Sequence, residues 1–189
     1  MNTIDRDTLK TLIAEGAQLW DDFRRETTDR HHLFIPCDHH DVATVLAELT
    51  DRGSTFLELG SAAGVVTIIA DLLGFEAYGI EIEPKLVERS IELAESFGSN
   101  ATFVEGSFVV PEYQNEIELL SADRITPTDG ADAYDEMGLE LSDFDVIFCY
   151  PWPGEEAWLA EMMRRHARPD AVLLTYDAKE GFRIGFEDI

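Results

Sequence analysis

The sequence predicts an α/β fold: a doubly wound, mostly parallel sheet with helices on both faces, preceded by an N-terminal helical extension. Three observations predict it. From residue 54 onward, short β-rich runs alternate with helical stretches. Those runs are apolar almost throughout, as expected of strands covered on both faces. Residues 1–53, by contrast, carry only helical spacing. The chain therefore divides into a helical extension at 1–53, packed on a core at 54–189.

Residues 4–28 place Ile4, Leu9, Leu12, Ile13, Leu19, Trp20 and Phe23 on or near one helical stripe. A polar connector, TTDRHHLFIPCDHH, follows. Asp38 is placed to N-cap a second helix carrying Val42, Val45, Leu46 and Leu49, which Gly53 stops. TFLEL is then a strand and residues 64–73 a helix. EAYGIEI is a second strand, and 84–97 a second core helix with Pro84 in its first turn. ATFVEG, DVIFCY and AVLLTY supply three further strands, with a helix at 155–167 before the last of them. The tail EGFRIGFEDI has room for one more short strand. Residues 108–143 interrupt the alternation; they are acidic, turn-rich and too long for a simple crossover. They read as a substrate-facing lid or as a solvated surface excursion.

A length of 189 residues with 45% hydrophobic content suits one domain with a sizeable core. The polar start MNTIDRDTLK lacks the apolar run of a signal peptide, and no stretch approaches a membrane span. Cys37 and Cys149 are the only cysteines, so a reducing, cytoplasmic setting is the simplest expectation. The 39 acidic residues against 14 basic ones give a formal charge of −25. Such a surface repels phosphate backbones, which disfavours nucleic acid as a partner, and attracts basic peptides. It also suits plain solubility or adaptation to high salt. His31, His32, His39 and His40 lack a framework that completes a metal set, so no metal is expected; one of them is available as a general base.

FLELGSAAGVV, residues 56–66, is a strand, a glycine turn and a helix start. That arrangement aims backbone N–H groups and the positive helix end at a ligand. A phosphate-gripping loop would need Lys-Ser/Thr after its last glycine, where Val65-Val66 stand. The dinucleotide fingerprint counted from Gly60 meets Ala62 and Val65 where glycines belong. The pattern acidic-x-Gly-x-Gly-x-Gly is met by Glu58, Gly60, Ala62 and Gly64, with alanine for the middle glycine. Gly60 and Gly64 serve either ligand approach or close helix–strand packing. Ala62 requires a negative φ or a ligand that leaves room for a methyl group.

This turn resembles motif I of the class I, Rossmann-like, S-adenosylmethionine (SAM)-dependent methyltransferases, and YGIEIEPKLVERSIELAESFG resembles the family's second motif. The resemblance implies a SAM cofactor, with S-adenosylhomocysteine (SAH) as product, and methyl transfer to an unidentified acceptor. Glu81, 21 positions past Gly60, would then accept from both ribose hydroxyls. Ile82 would pack beside the adenine, with Glu83 pointing away across the strand. Glu58 would serve the methionine ammonium, and Gly60, Ser61, Ala62, Ala63 and Gly64 would line the methionine moiety. Gly106, Ser107 and Phe108 occupy the third motif, Ser107 standing where the family places an aspartate. At the end of the fourth strand, Tyr150, Pro151 and Trp152 partly match the acceptor-positioning motif of amino-group methyltransferases, with Tyr150 in place of its polar first residue. Glu155 and Glu156 are further candidates for orienting the acceptor. LFIPCDHHDVATVLAEL is similar to a segment of protein-lysine methyltransferases of the ATP-synthase c-subunit type, which implies a basic protein side chain as acceptor; a small molecule is the other open class. The alternative is a SAM-binding regulatory or scaffold protein without catalysis.

Overall fold

The computed structural model describes residues 3–27, 36–120 and 125–185. His31 and His32 therefore lie outside the described residues, as do Leu33, Phe34 and Ile35 of the lysine-methyltransferase-like segment.

Helix α1, Arg6–Glu26, begins where the Asp5 carboxylate accepts from the N–H groups of Asp7 and Thr8. Asp38 caps α2, His39–Leu49, in the same way through His40 and Asp41. That helix ends at Leu49, with Thr50 as its C-cap, short of Gly53, which has a different task. A Cβ there would lie 2.1 Å from Asp145 Cβ. The close approach lets the Asp145 carboxylate accept from the N–H groups of Ser54 and Thr55 at 2.7 and 3.1 Å, fixing the start of the first strand.

Strand β1, Thr55–Leu59, leads through the glycine turn into α3, Val65–Leu73. Strand β2, Glu76–Glu81, leads into α4, Pro84–Ser96, which is followed by β3, Thr102–Glu105. Two helices, α5 at Pro111–Leu120 and α6 at Ala133–Met137, then carry the chain to β4, Val146–Cys149. Helix α7, Glu156–His166, precedes β5, Val172–Asp177, and β6, Gly181–Ile184.

The sheet order is β3-β2-β1-β4-β5-β6, parallel except for β6, which pairs antiparallel with β5. The tail thus supplies the extra strand for which the sequence had room. One face is covered by α2, α3 and part of α1 and α4, with Leu12, Val42, Leu46, Ile68 and Ile69 buried against Phe56 and Phe148. Leu12 and Val42 belong to the same apolar cluster as the sheet, so α1 and α2 share the core.

The segment 108–143 corrects the expectation of a solvated excursion. Val109, Val110, Tyr113, Ile117, Ala133, Tyr134 and Leu141 are buried in the cluster on the other face, against Leu57, Ile80 and Ile147. The physical reason is the strand order. A connection from edge strand β3 to β4 must pass over β2 and β1, and in doing so it covers the face that α7 alone leaves open. Its described acidic residues, Glu112, Glu116, Asp135 and Glu136 among them, are the outer face of a buried crossover. Among the described residues no helix is long and apolar enough to cross a membrane.

Candidate functional site

Strands β1 and β4 sit side by side while their crossovers run in opposite directions, which opens a crevice at their carboxyl ends. Two cavities lie there. One, of about 120 Å³, extends from the ends of β2 and β3 to the loop after β4. The other, of about 430 Å³, lies between the glycine turn, α1 and the start of α2. Trp20, Gly60, Ala62 and Tyr150 line both, so the turn stands at their junction.

The turn is left-handed at three alternate positions: Gly60 at φ 79°, Ala62 at 46° and Gly64 at 75°. Ala62 thus contradicts the condition of a negative φ. It keeps the backbone that glycine would adopt, at a cost of roughly 1–2 kcal/mol, while its methyl packs against the cluster of Trp20, Phe23 and Leu86. The two glycines differ in role. A Cβ on Gly64 would lie 2.7–2.8 Å from the Phe103 ring and Ser90, so this glycine serves packing, and it lines neither cavity. A Cβ on Gly60 would meet only Phe108 at 3.9 Å. Gly60 therefore leaves open space toward the cavities, which packing alone does not need.

Two carboxyls flank this turn. Glu58, 5% exposed, has one oxygen accepting from Thr67 N–H at 2.9 Å and from Thr67 Oγ1 at 2.5 Å. Burial pushes its pKa up to about 8 against the pull of these bonds. Its place is the larger cavity, with Ser61 and Ala63. Glu81 lines the smaller one. Its carboxylate accepts from the N–H groups of Ala62, Ile82 and Glu83 at 2.7, 2.8 and 3.0 Å, linking the two βα turns. Burial raises its pKa, and the three N–H donors oppose that rise. A carboxylate offers about four acceptor positions, so one remains. Glu83 does not point away. The strand ends at Glu81, the two-residue alternation stops there, and Glu83 lines the same cavity.

Ile82, Gly106, Ser107 and Phe108 also line the smaller cavity. Ser107 Oγ accepts from Val109 N–H at 3.2 Å, and Ser107 N–H donates to the Ala131 carbonyl at 2.8 Å. The segment 125–131 thereby lies across the end of β3 as a roof. Glu155 fastens it. This buried carboxylate accepts from Ile125 N–H at 2.6 Å, Thr126 N–H at 3.1 Å and Thr126 Oγ1 at 2.5 Å. Glu156 accepts from Gly154 N–H at 2.8 Å. Glu155 is thus engaged by the segment 125–126 and Glu156 by its own loop, which gives both acids an architectural use.

Tyr150 stands edge-on to Tyr176 with ring centroids 5.1 Å apart. Burial raises its pKa, so the phenol keeps its proton. Pro151 and Trp152 line the smaller cavity, Trp152 half-buried as a wall and not a core residue. His39 and His40 reach the larger cavity, and burial lowers His39 to about 4, which leaves it neutral. Among the described residues no group of three or more His, Cys, Asp or Glu is placed to hold a metal.

Sequence reasoning missed Trp20, Phe23, Leu86, Thr126, Pro127 and Trp158, all lining the smaller cavity. For Trp20 and Phe23 a signal existed. The apolar stripe of the first helix ends in two aromatics, which bury more area than a two-layer contact with the sheet needs. For Thr126 and Pro127 there was none, because their position depends on Glu155 in another loop.

No family model matches the chain, and no curated protein matches it in sequence. Solved structures do match in fold. An RNA methyltransferase from Salinibacter ruber in complex with SAH superposes with a TM-score of 0.53 at 22% identity, over 76% of this chain and 78% of that one. An O-methyltransferase from Bacillus cereus in complex with SAH gives 0.54 at 15% identity, over 91% and 66%. Cofactor-bound Rv0187 from MTB gives 0.54 at 14%, over 90% and 65%. The chain thus spans about two thirds of the length of the latter two. The fold is the Rossmann-like fold of the class I SAM-dependent methyltransferases.

Proposed function

We propose that the protein is a SAM-dependent methyltransferase whose cofactor lies across the two cavities, with its methionine end in the larger and its adenosine end in the smaller. The observation that carries this reading is Gly60. Its left-handed turn leaves open space at the junction of two cavities, between buried carboxyls at the ends of β1 and β2. The residues present fit the group. Glu81 has an acceptor position left for a ribose hydroxyl beside the three N–H groups it already holds. Ile82 and Phe108 offer apolar walls to a base, and Glu58 faces an ammonium with an otherwise costly buried carboxyl.

When bound, SAM supplies a methyl group on a cationic sulfur that leaves as a neutral thioether. The chain then has three tasks: to hold the donor, to place the acceptor in line and to exclude water. The turn 60–64 and the two carboxyls do the first. Tyr150, at the junction, and Pro151 and Trp152, beside it, do the second. The roof 125–131, fastened by Glu155, and the aromatics Trp20 and Phe23 of α1 do the third. The acceptor class that suits a charge of −25 is cationic, the side chain of a basic peptide or a small amine.

Calorimetric titration with SAM and SAH tests the cofactor assignment. Saturable one-to-one binding is expected, weakened about tenfold in Glu81→Gln through loss of a charge-assisted bond; absence of binding at both low and high salt would overturn it. Turnover of SAM to SAH with basic peptides or small amines separates catalysis from a purely binding role.

A further inference from the structure

The larger cavity has one wall made by α1. Ile13, Gly16, Ala17, Trp20, Asp21 and Arg24 line it, spaced three, one, three, one and three apart, which is one face of the helix. That face is seated against the cofactor turn's own helix. A Cβ on Gly16 would lie 2.1 Å from Val65 Cγ2, the first residue of α3. Helix α1 is thus held against the glycine turn and reaches both cavities through Trp20.

Arg24 stands at the end of this face. Among the described residues it is the only lysine or arginine that lines either cavity. Its neighbours are committed elsewhere: Arg25 pairs with Asp22 at 2.8 Å, and Arg89 and Lys85 pair with Glu26 at 2.7 and 3.8 Å. Arg24 makes no ion pair with a described residue. In the same cavity stand Asp21, one turn back along α1, and Glu58.

Resting on the SAM reading, we propose that Arg24 is the counter-ion of the cofactor's methionine carboxylate, so that α1 completes the cofactor site and sets its requirement for an intact amino acid. The argument is one of charge balance. The methionine end is a zwitterion: an ammonium and a carboxylate on one carbon. Glu58 and Asp21 suit the ammonium and repel the carboxylate. The protein as a whole, at −25, opposes any anion. A carboxylate enters this cavity only beside a local cation, and the chain provides one. Arginine also offers a planar fork that meets both carboxylate oxygens.

The test compares two ligands that differ in the amino acid alone: SAH, and 5′-methylthioadenosine, which keeps the adenosine and the thioether. Binding is measured on the full chain, wild type, Arg24→Gln and Arg24→Lys, at low salt. For SAH, Arg24→Gln is expected to bind about tenfold more weakly and Arg24→Lys to recover most of the loss. Methylthioadenosine should bind all three alike, and added salt should shrink the SAH difference, since Arg24 is exposed. Equal loss for both ligands would mean a displaced helix and would overturn the assignment. So would unchanged SAH binding in Arg24→Gln while the wild type binds it, and that outcome leaves the cofactor reading standing. A wild type that binds neither ligand overturns both.

Discussion

Replacing Glu58 by glutamine should stabilise the ligand-free protein, by an amount that grows with pH. The side chain is buried beneath the glycine turn, and burial lifts its pKa from an ordinary 4.5 to about 8. The folded state therefore retains a proton that the unfolded chain releases above pH 4.5. Such a group contributes stability that is complete below 4.5, falls as pH rises, and is lost by about 8. At 1.36 kcal/mol per pH unit, the loss is about 3 kcal/mol at pH 7 and about 4 kcal/mol at pH 8, upper figures because water reaching a buried carboxylate softens them. Glutamine mimics the protonated form. Both bonds from Thr67, N–H and hydroxyl, go to one carboxylate oxygen, so an amide oxygen there keeps both. Urea unfolding of wild type and Glu58→Gln at pH 5, 7 and 8 reads the effect: nearly equal at pH 5, with the variant increasingly ahead toward pH 8. A difference that does not change with pH, or a wild type more stable at pH 8, would refute the reasoning.

The same carboxyl makes cofactor binding pH-dependent. SAM affinity should rise between pH 6 and 8 with proton release, seen as buffer-dependent calorimetric heats, and Glu58→Gln should flatten the profile while weakening binding. The two glycines of the turn should separate. Gly60→Ala should cost about 1–2 kcal/mol of stability from its left-handed φ and reduce SAH binding further by filling the cavity. Gly64→Ala, which adds overlap with Phe103 and Ser90, should lower the urea midpoint well beyond that. Glu155→Ala strips two backbone N–H groups and the Thr126 hydroxyl of their acceptor. A loss of about 2–4 kcal/mol is expected, with faster hydrogen exchange at Ile125 and Thr126 than at the strands.

Most of the fold was legible because its signals are local. Strands such as TFLEL and VIFC are short, apolar and bounded by turns, and the cap at Asp38 and the first-turn Pro84 mark helix starts within a residue. Of the two readings open for 108–143, a substrate-facing lid or a solvated excursion, the second fails because its buried stripe, Val109, Val110, Tyr113 and Ile117, is interleaved with Glu112 and Glu116. Net acidity outweighed a spacing that was there to be read. Of the site, the glycine turn and both carboxyls could be located from pattern, whereas Glu81's bond to Ala62 spans 19 residues and Glu155's to Ile125 spans 30. Such pairings follow from sheet order and not from any window of sequence. The conformation of Ala62 is a different case, since of its two conditions, a negative φ or a ligand with room for a methyl, the first fails. Its residue type argues for negative φ, and only the surrounding turn overrides it.

That override belongs with the other costly choices in this chain. A left-handed alanine, a carboxyl near the carboxyl end of β1 whose proton burial favours, and a second carboxylate drawn onto three backbone N–H groups all adjoin the glycine turn. Stability alone favours glycine at 62 and an uncharged residue at 58. The other buried carboxyl among the described residues, Glu155, also lines the smaller cavity, but its donors come from residues 125 and 126, which it ties to the start of α7. Glu58 and Glu81 hold the turn itself. Local violations of folding rules persist where the surroundings over-determine them and something other than packing benefits. Each acid here is costly only while its cavity is empty, because an ammonium beside Glu58 or a hydroxyl beside Glu81 removes part of the penalty. The turn is therefore expected to gain more from its ligand than the rest of the chain does, and SAH should protect the amides of residues 60–67 and 81–83 from hydrogen exchange more than those of β4 to β6. Protection spread evenly over the sheet would show that the ligand stabilises the fold at large and that the strain at the turn has another origin.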